Sequence, residues 1–197
     1  MKKYLVIGNP IEHSLSPKLH NFWMKKNNVN AFYEKEKILD SDLKDLIKKV
    51  QVGEISGINV TVPFKKKVID YLDKLSPGSE ITQSVNTISL DGKNLIGYNT
   101  DINGFELAIK NINFNVLNKK ILILGAGGVV SSIIFALKKL KAQQIIVSNR
   151  TKEKAENLKK LFKDIEIINW GNVPDFDLII NATSVGLKKD DKISLDL

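Results

Sequence analysis

The sequence predicts an α/β protein in which an N-terminal α/β domain precedes a doubly wound parallel sheet that is incomplete at its C-terminus. Along most of the 197 residues, short apolar runs alternate with amphipathic helical patterns, an order typical of α/β folds. In the second half, the unbroken apolar run Lys120–Gly125 passes through a glycine cluster into a helical pattern. Unbroken apolar runs are typical of strands that a parallel sheet buries on both faces.

The first half begins with a strand and a helix. Tyr4–Gly8 is predicted as a strand, because a short apolar run ends at an Asn-Pro pair. Ser16-Pro17 is predicted to open a helix, with the serine as cap and the proline in the first turn. Leu19, Phe22 and Trp23 recur at helical spacing, so we expect this helix to bury one face.

Turn and cap signals place the remaining elements of the first half. Asp40-Ser41-Asp42 is predicted to cap a helix, Pro63 to stop a strand, and Asp91-Gly92 to turn a β-hairpin. The predicted elements are strands at Ala31–Ile38, Ile55–Val62, Ser84–Leu90 and Asn94–Tyr98, a helix with Leu43, Leu46, Ile47 and Val50 on its apolar face, and a helix through Val68 and Leu72.

The second half follows the strand–helix order of a dinucleotide-binding, Rossmann-type sheet. We place a first domain at residues 1–101, a linking helix and connector at 102–118, and a second domain at 119–197. Sheets of this type usually continue further, so we expect the polar end of the chain to mark a fragment or a naturally short protein. The predicted elements are a helix at 102–112, then Lys120–Gly125, Val130–Leu140, Gln144–Ser148, Thr151–Phe162, Glu166–Ile168 and Asp177–Asn181.

Composition excludes several classes of site. The chain has no Cys, which excludes disulfides, zinc–thiolate sites, iron–sulfur clusters and cysteine nucleophiles, and which suits a reducing cytoplasm. No apolar stretch approaches the roughly 20 residues of a membrane span. The net charge of +8 raises nucleic-acid binding as an alternative, but lysines and acids interleave along the predicted helix faces. We therefore expect no nucleic-acid partner, no membrane partner and no metal ligands.

The glycine cluster after the run Lys120–Gly125 predicts a nucleotide site. Gly125 permits a tight turn, and Gly127 lets backbone N–H groups approach a pyrophosphate at the N-terminus of the next helix. Val130 occupies the third position of the G-x-G-x-x-G pattern. A tight turn without a ligand is the alternative interpretation.

The residues after the next strand predict which nucleotide binds. A site for NAD needs an acidic residue here to bind the ribose 2′-hydroxyl, but the strand runs into Asn149-Arg150-Thr151. Arg150 is the one arginine of the chain, and its planar guanidinium suits a phosphate better than lysine does. We therefore predict NADP(H) as the cofactor. The alternative is a helix cap beside a surface arginine.

Four polar clusters of the first half lie at predicted strand ends or in loops. One lysine, one aspartate, two amides and three hydroxyls chosen from these clusters form a set that suits a small, acidic, polyhydroxylated substrate. Ser14 and Ser16 stand one residue apart, so their hydroxyls can jointly hold a carboxylate. We assign His20 to packing or hydrogen bonding. The clusters are Ser14–Asn21, Asn59–Lys65, Val85–Thr87 and Gly97–Asp101.

In this order, the clusters resemble the NADP-dependent shikimate/quinate dehydrogenase family. The most specific piece is Asn-Val-Thr-Val-Pro-Phe-Lys at residues 59–65. The resemblance implies reversible NADPH-dependent reduction of 3-dehydroshikimate to shikimate, in the route to chorismate and the aromatic amino acids, by a monomer or homodimer. The matching pieces are Ser14–Asn21, Asn59–Lys65, Val85–Thr87, Asn99–Asp101, Gly125–Gly128, Asn149–Thr151 and Asn181–Gly186.

The resemblance also implies roles for individual residues. By position, Lys65 and Asp101 form the catalytic pair. The implied substrate-binding residues are Ser14, Ser16, Thr61, Lys65, Asn86 and Asp101. The implied cofactor-binding residues are Gly125, Ala126, Gly127, Gly128, Val129, Asn149, Arg150, Thr151, Lys154 and Thr183.

The chain departs from the family's pattern in three places. Gln83-Ser84 stands where the family usually has Gly-Ala, and Ser131 and Ser132 replace a residue that is often basic and a small alanine. The resemblance further implies a C-terminal segment beyond Leu197, so we expect the C-terminal part of the family's chain to be missing. A quinate-using relative and a catalytically incompetent, truncated binding protein are the alternative functions.

Overall fold

The chain forms two compact units, and each has its own β-sheet. The structure, a computed structural model, describes residues 1–186, 190–193 and 195. The first unit spans Met1–Thr100 and the second begins at Asp101. The last residue of the predicted second domain, 197, lies outside the described residues.

The first unit is a six-stranded mixed sheet in the order β2-β1-β3-β5-β6-β4. β1 pairs in parallel with both β2 and β3, and β5 and β6 form the predicted antiparallel hairpin. The strands are β1 Lys2–Gly8, β2 Ala31–Lys37, β3 Gly57–Val60, β4 Lys74–Leu75, β5 Thr87–Asp91 and β6 Asn94–Tyr98. The helices are α1 Ser16–Lys26, α2 Leu43–Gln51 and α3 Pro77–Thr82, with 3₁₀ turns at Asp40–Asp42 and Lys67–Tyr71.

Helix α2 supplies one wall of the first unit's core. The four apolar residues predicted to share one face, Leu43, Leu46, Ile47 and Val50, are all buried. They belong to one apolar cluster with the sheet and with Phe64, which is 1% exposed. The prediction for this helix is confirmed, because residues spaced by three and four stand on one side of a helix.

Helix α1 differs from the prediction in its cap and in its packing. Ser16 is the first helical residue, and in the described structure Leu15 stands at the cap position without a capping side chain. Leu19, Phe22 and Trp23 are 45%, 60% and 48% exposed. The prediction that Leu19, Phe22 and Trp23 form a buried face is wrong, because apolar spacing shows that a face exists but not that another element covers it.

Three further elements differ from the sequence prediction. The strand predicted at Ile55–Val62 is only Gly57–Val60, because the N–H of Phe64 donates to the carbonyl of Thr61 and turns the chain. The helix predicted through Val68 and Leu72 is the 3₁₀ turn Lys67–Tyr71. Helix α3 was not predicted, although a Ser-Pro pair opens it and the serine caps it by accepting an N–H bond.

The second unit is a four-stranded, wholly parallel sheet in the order β10-β7-β8-β9. The predicted Rossmann-type sheet is confirmed, with central strand β7 buried along most of its length. No helix in the described part of the chain is long and apolar enough to cross a membrane. The elements are α4 Asp101–Asn111, β7 Lys120–Leu124, α5 Val130–Lys139, β8 Gln144–Ser148, α6 Lys152–Leu161, β9 Glu166–Ile168 and β10 Leu178–Asn181.

Candidate active site

The loops after β1 and β3 leave the same edge of the first unit's sheet. Ile7 pairs with Val60 in parallel register, so the two segments that follow begin side by side. The first segment carries Ser14 and Ser16, and the second begins with Thr61. The N–H of Thr61 donates to the carbonyl of Ile7 at 2.9 Å. Polar groups that are about 50 residues apart in sequence therefore start from one sheet edge.

A glycine at the end of β1 lets Thr61 lie close to that strand. A Cβ added at Gly8 would stand 2.5 Å from Thr61 Cγ2 and 3.2 Å from the carbonyl oxygen of Val62. Carbon atoms in contact are normally about 3.5–4.0 Å apart. A side chain at Gly8 would therefore prevent the predicted substrate residue Thr61 from lying this close to β1.

Ser14 and Ser16 are linked by a local hydrogen bond. Both are half-buried, and the N–H of Ser16 donates to Ser14 Oγ at 3.3 Å. Because Ser14 is the acceptor, this bond does not consume its hydroxyl proton. Two hydroxyls are therefore held one residue apart, as the carboxylate interpretation requires.

A connected set of hydrogen bonds joins β2, β3 and the hairpin. The Tyr33 hydroxyl donates to Asn59 Oδ1 at 2.6 Å, and Asn59 Nδ2 donates to Thr87 Oγ1 at 3.0 Å. Thr87 Oγ1 donates to Asn86 Oδ1 at 3.0 Å. Asn86 Oδ1 also accepts the N–H of Thr100 at 3.0 Å. The predicted substrate residue Asn86 thus sits inside a polar network that holds its amide in place.

Most of this network lies outside the site residues that the sequence predicts. The sequence points to Asn59 only as part of the motif at residues 59–65, and it gives no role to Tyr33. The one available signal was a tyrosine in a strand otherwise rich in charged residues, Ala31–Lys37. A lone tyrosine of this kind indicates a buried ring but not the partner of its hydroxyl.

Lys65 and Asp101 occupy defined positions along the chain. The carbonyl of Lys65 accepts the N–H of Val85 at 2.8 Å, and the preceding residue, Phe64, is 1% exposed. The backbone that carries the lysine is therefore anchored on both sides. Asp101 is the first residue of α4 in the second unit, directly after Thr100.

His20 packs against aromatic rings. Its ring stacks on Tyr33 with centroids 4.3 Å apart and an interplanar angle of 8°, and it meets Trp23 edge-on at 5.6 Å. Burial lowers the pKa of His20 below its usual value. A lowered pKa favours the neutral imidazole, which is consistent with the packing role expected from the sequence.

The three predicted cofactor motifs of the second unit meet at the carboxyl edge of its sheet. The N–H of Gly125 donates to the carbonyl of Ser148, and the N–H of Ala182 donates to that of Leu124, each at 2.8 Å. The glycine turn, the segment starting at Asn149 and the Asn181 turn therefore lie side by side. Ligands of open parallel sheets bind at this edge.

The glycine turn has the backbone that a pyrophosphate cradle needs. Gly125 has φ +110°, and a Cβ there would come within 2.7 Å of the carbonyl oxygen of Ala182. Gly127 and Gly128 are exposed, and a Cβ at Gly127 would meet nothing nearer than 3.9 Å. Ala126 and Val129 are partly buried beside them. The turn leads directly into α5, and a helix N-terminus is a favourable place for an anion.

The segment after β8 presents cationic and polar groups to solvent. Arg150, Thr151 and Lys154 are exposed, and Asn149 Nδ2 donates to the carbonyl of Thr151 at 2.7 Å. Thr151 stands at the cap position of α6, but within the described residues its side chain makes no capping bond. The helix-cap interpretation of Thr151 is therefore wrong in this structure. Arginine and lysine at a helix N-terminus fit a 2′-phosphate.

The turn after β10 is closed by its own side chains. Asn181 Oδ1 accepts the N–H of Thr183 at 3.0 Å and its hydroxyl at 2.7 Å. Thr183 Oγ1 in turn accepts the N–H of Val185 at 3.0 Å. Thr183 is thereby held next to the strand that carries the glycine turn. In the described part of the chain, no group of three or more acidic or histidine side chains is arranged to hold a metal ion.

Comparison with protein families gives two matches that together cover most of the chain. The family described as "Shikimate dehydrogenase substrate binding domain" matches residues 6–88. The family described as "Shikimate / quinate 5-dehydrogenase" matches residues 106–187. The boundary between the two matches falls in the same region as the boundary between the two structural units.

Individual relatives extend the similarity over nearly the whole chain. A shikimate dehydrogenase (NADP(+)) of Pelagibacter ubique is 58% identical over 195 residues, which are 99% of this chain and 74% of the relative. One from Caldicellulosiruptor saccharolyticus is 38% identical over 95% of this chain and 70% of its own length.

Solved structures show the same fold. Shikimate dehydrogenase from Aquifex aeolicus superposes with a TM-score of 0.89 and 38% identity, over 98% of this chain and 73% of that one. Shikimate 5-dehydrogenase from Thermus thermophilus in complex with NADP(H) and shikimate gives 0.85 and 32%, over 95% and 70%. Because these relatives exceed 30% identity over more than two thirds of their own lengths, this chain belongs to the shikimate dehydrogenase family.

Proposed function

We propose that this chain catalyses the reversible NADPH-dependent reduction of 3-dehydroshikimate to shikimate, in the route to chorismate and the aromatic amino acids. The observation that carries the proposal is that one chain holds both a polar substrate site and a nucleotide site. The first unit holds hydroxyls, amides and Lys65 at one region of its sheet, and the second holds a glycine turn followed by Arg150. The absence of cysteine favours a reducing cytoplasm as the setting.

Substrate binding is assigned to the polar side chains of the first unit. Ser14 and Ser16 bind the carboxylate, because two half-buried hydroxyls one residue apart can each donate to one of its oxygens. Thr61, Asn86 and Asp101 bind the ring hydroxyls. Asn86 is suited to this role because its amide is already oriented by Thr87 and Thr100.

Lys65 is assigned as the proton donor in the reducing direction. When the ketone becomes an alcohol, negative charge develops on its oxygen, and an ammonium group beside it stabilises that charge and supplies the proton. In the oxidising direction the lysine accepts the proton. Asp101, the other member of the proposed catalytic pair, is assigned mainly to orienting the lysine and binding substrate.

Cofactor binding is assigned to the carboxyl edge of the second unit's sheet. NADPH, when bound, supplies the hydride. The backbone of Gly125–Val129 and the N-terminus of α5 bind the pyrophosphate, and Arg150 with Thr151 and Lys154 binds the 2′-phosphate. Asn149 and Thr183 border the same edge through their turns. The absence of an acidic residue in Asn149-Arg150-Thr151 favours NADP over NAD.

The experiment is a steady-state assay of the full chain with shikimate and NADP⁺, followed by the absorbance of NADPH. We expect turnover with this pair, and weaker turnover with quinate or with NAD⁺. Lys65→Ala should lower kcat by about two to four orders of magnitude with little change in KM. Lys66→Ala, which alters the exposed neighbouring lysine, is the matched control.

Each outcome of this assay decides between functions. Turnover that prefers quinate would assign the chain to the quinate-using alternative. Binding of shikimate without turnover would support the binding-protein alternative. An unchanged kcat in Lys65→Ala would remove this residue from the mechanism.

A further inference from the structure

Helix α1 carries the proposed carboxylate residue Ser16, yet little apolar packing holds this helix to the sheet. Within the described structure none of its 11 residues is buried. Met24, partly buried, packs against the small apolar cluster of Val6, Ile11 and Tyr33. Isolated helices shorter than about 12–15 residues are marginal in water, and most helices in proteins depend on the packing of an apolar face. The specific contacts between α1 and β2 therefore matter for where Ser16 lies.

The side chain of Asn21 binds the main chain of β2 at two points. Asn21 Oδ1 accepts the N–H of Tyr33 at 2.9 Å, and Asn21 Nδ2 donates to the carbonyl of Tyr33 at 2.8 Å. A main-chain N–H can only donate and a carbonyl can only accept, so the backbone assigns both ends of this amide. β2 is an outer strand of the sheet and pairs with β1 on its other side. The amide thus makes two bonds of the kind that a further strand would make.

The strand residue to which Asn21 binds is itself fixed. Tyr33 is 4% exposed, and its hydroxyl donates to Asn59 Oδ1 in β3 at 2.6 Å. His20, the neighbour of Asn21, stacks on the ring of Tyr33 with centroids 4.3 Å apart. Helix α1 is therefore attached to one residue of β2 through both the backbone and the ring of that residue.

The position of Ser16 follows from this attachment. Ser16 stands four residues before His20, so the two side chains lie on the same side of α1, about one turn apart. The N–H of Ser16 donates to Ser14 Oγ at 3.3 Å, so a shift of the helix also disturbs the pair of serines. At the other end of this segment, the N–H of Ser14 donates to the carbonyl of Ile11, which is 6% exposed. The serines thus lie between a buried loop residue and the attachment of α1 to β2.

We infer that Asn21 is a positioning residue for the proposed carboxylate subsite, because it docks α1 on β2 and so sets the position of Ser16. This inference rests on the proposed function. Without the amide, the N–H and the carbonyl of Tyr33 lose these partners, and α1 loses two bonds to the sheet. The effect falls on substrate binding, because Lys65 lies on a different segment, after β3.

The first test is Asn21→Ala, with Asn27→Ala as the matched control. Asn27 Nδ2 donates to the carbonyl of Trp23 in the same helix at 2.8 Å, so Asn27→Ala removes a similar bond that does not involve β2. We expect Asn21→Ala to raise both the KM and the calorimetric Kd for shikimate about tenfold. The kcat and the KM for NADP⁺ should stay within about twofold, and Asn27→Ala should bind shikimate as the parent protein does.

The second test asks whether Asn21 acts through Ser16. The Kd for shikimate is measured for Asn21→Ala with Ser16 present and in the Ser16→Ala background. With Ser16 present we expect the tenfold rise, and in the Ser16→Ala background a rise of about threefold or less, since the hydroxyl that Asn21 positions is then absent. A residue that only stabilised the fold would weaken binding equally in both backgrounds.

The third test measures the docking of α1 without any substrate. Amide hydrogen exchange in α1 should be faster in Asn21→Ala than in the parent protein, whereas exchange in β1 and β3 should not change. Circular dichroism of each variant confirms that it is folded. If Asn21→Ala does not fold, Asn21→Ser takes its place with the same expected results, because the serine side chain is too short to reach both main-chain groups.

The results that would overturn the inference are distinguishable from those that concern the proposed function. Shikimate binding by Asn21→Ala equal to the parent protein, equal effects in both Ser16 backgrounds, or unchanged exchange in α1 would overturn the role of Asn21 alone. Failure of the parent protein to bind shikimate would overturn the proposed function together with the inference that rests on it.

Discussion

Gly8→Ala should destabilise the first unit by pushing Thr61 away from β1. The new Cβ would stand 2.5 Å from Thr61 Cγ2 and 3.0 Å from Ile11 Cδ1, whereas apolar carbons in contact lie about 3.5–4.0 Å apart. The overlap with Thr61 is therefore about 1 Å. β1 pairs with a strand on each side, so its backbone has little room to shift. Overpacking of this kind costs about 1–3 kcal/mol, and we expect the upper half of that range.

Thermal denaturation followed by circular dichroism measures this effect. For a unit of this size, Tm should fall by about 4–8 °C for each kcal/mol lost. The KM for shikimate should rise in parallel, since Thr61 is a proposed substrate residue. Gly104→Ala is the control, because a Cβ at this exposed position of α4 meets nothing within 4 Å. It should leave stability unchanged or raise it by up to about 1 kcal/mol.

A second variant identifies the atom responsible. Thr61→Ser removes Cγ2, so the double variant Gly8→Ala/Thr61→Ser should recover part of the stability that Gly8→Ala loses. Recovery should be incomplete, because the contact with Ile11 remains. If Gly8→Ala is as stable as the parent protein, or if Thr61→Ser does not relieve the loss, the close approach described above is refuted.

Three other predictions follow from single side chains. Arg150→Ala should reduce the ratio of kcat/KM for NADP⁺ to kcat/KM for NAD⁺ by about tenfold or more. Lys159→Ala, at the other end of α6, is the control and should leave this ratio unchanged. An unchanged ratio in Arg150→Ala would contradict the 2′-phosphate assignment. Gln83 has the left-handed backbone angles φ 49° and ψ 43°, which strain any residue other than glycine. Gln83→Gly should therefore raise the free energy of unfolding in urea by about 0.5–1 kcal/mol. A lower free energy of unfolding would show that the glutamine side chain stabilises the protein by more than the backbone strain costs. Burial raises the pKa of Tyr33 above its usual 10.0. The stability that the buried, neutral phenol contributes is therefore present below about pH 10 and is lost as the pH rises further. Tm measured against pH should therefore fall less steeply above about pH 10 in Tyr33→Phe than in the parent protein, and equal slopes would argue against the buried phenol.

Local signals in the sequence were enough to predict most of the second unit. The run Lys120–Gly125 and the glycine cluster fix a buried strand and a helix start, because both depend on residues next to one another in the chain. The same reasoning succeeded for α2 and for the hairpin turned at Asp91-Gly92. It failed for α1, whose Trp23 is 48% exposed, because burial depends on what packs against a helix.

The sequence by itself determined which chemical groups this protein carries and the strand ends at which they stand, since periodicity and turn residues act over a few positions. Only the tertiary structure decided that Tyr33 donates to Asn59, 26 residues further along the chain, and that Gly8 makes room for Thr61. Such contacts depend on strand register. They also depend on how the side-chain amides of Asn59 and Asn86 are oriented, which the carbonyl of Asn86 and the N–H of Thr100 determine. No local pattern encodes them, because each partner is brought close by sheet pairing rather than by its neighbours in sequence.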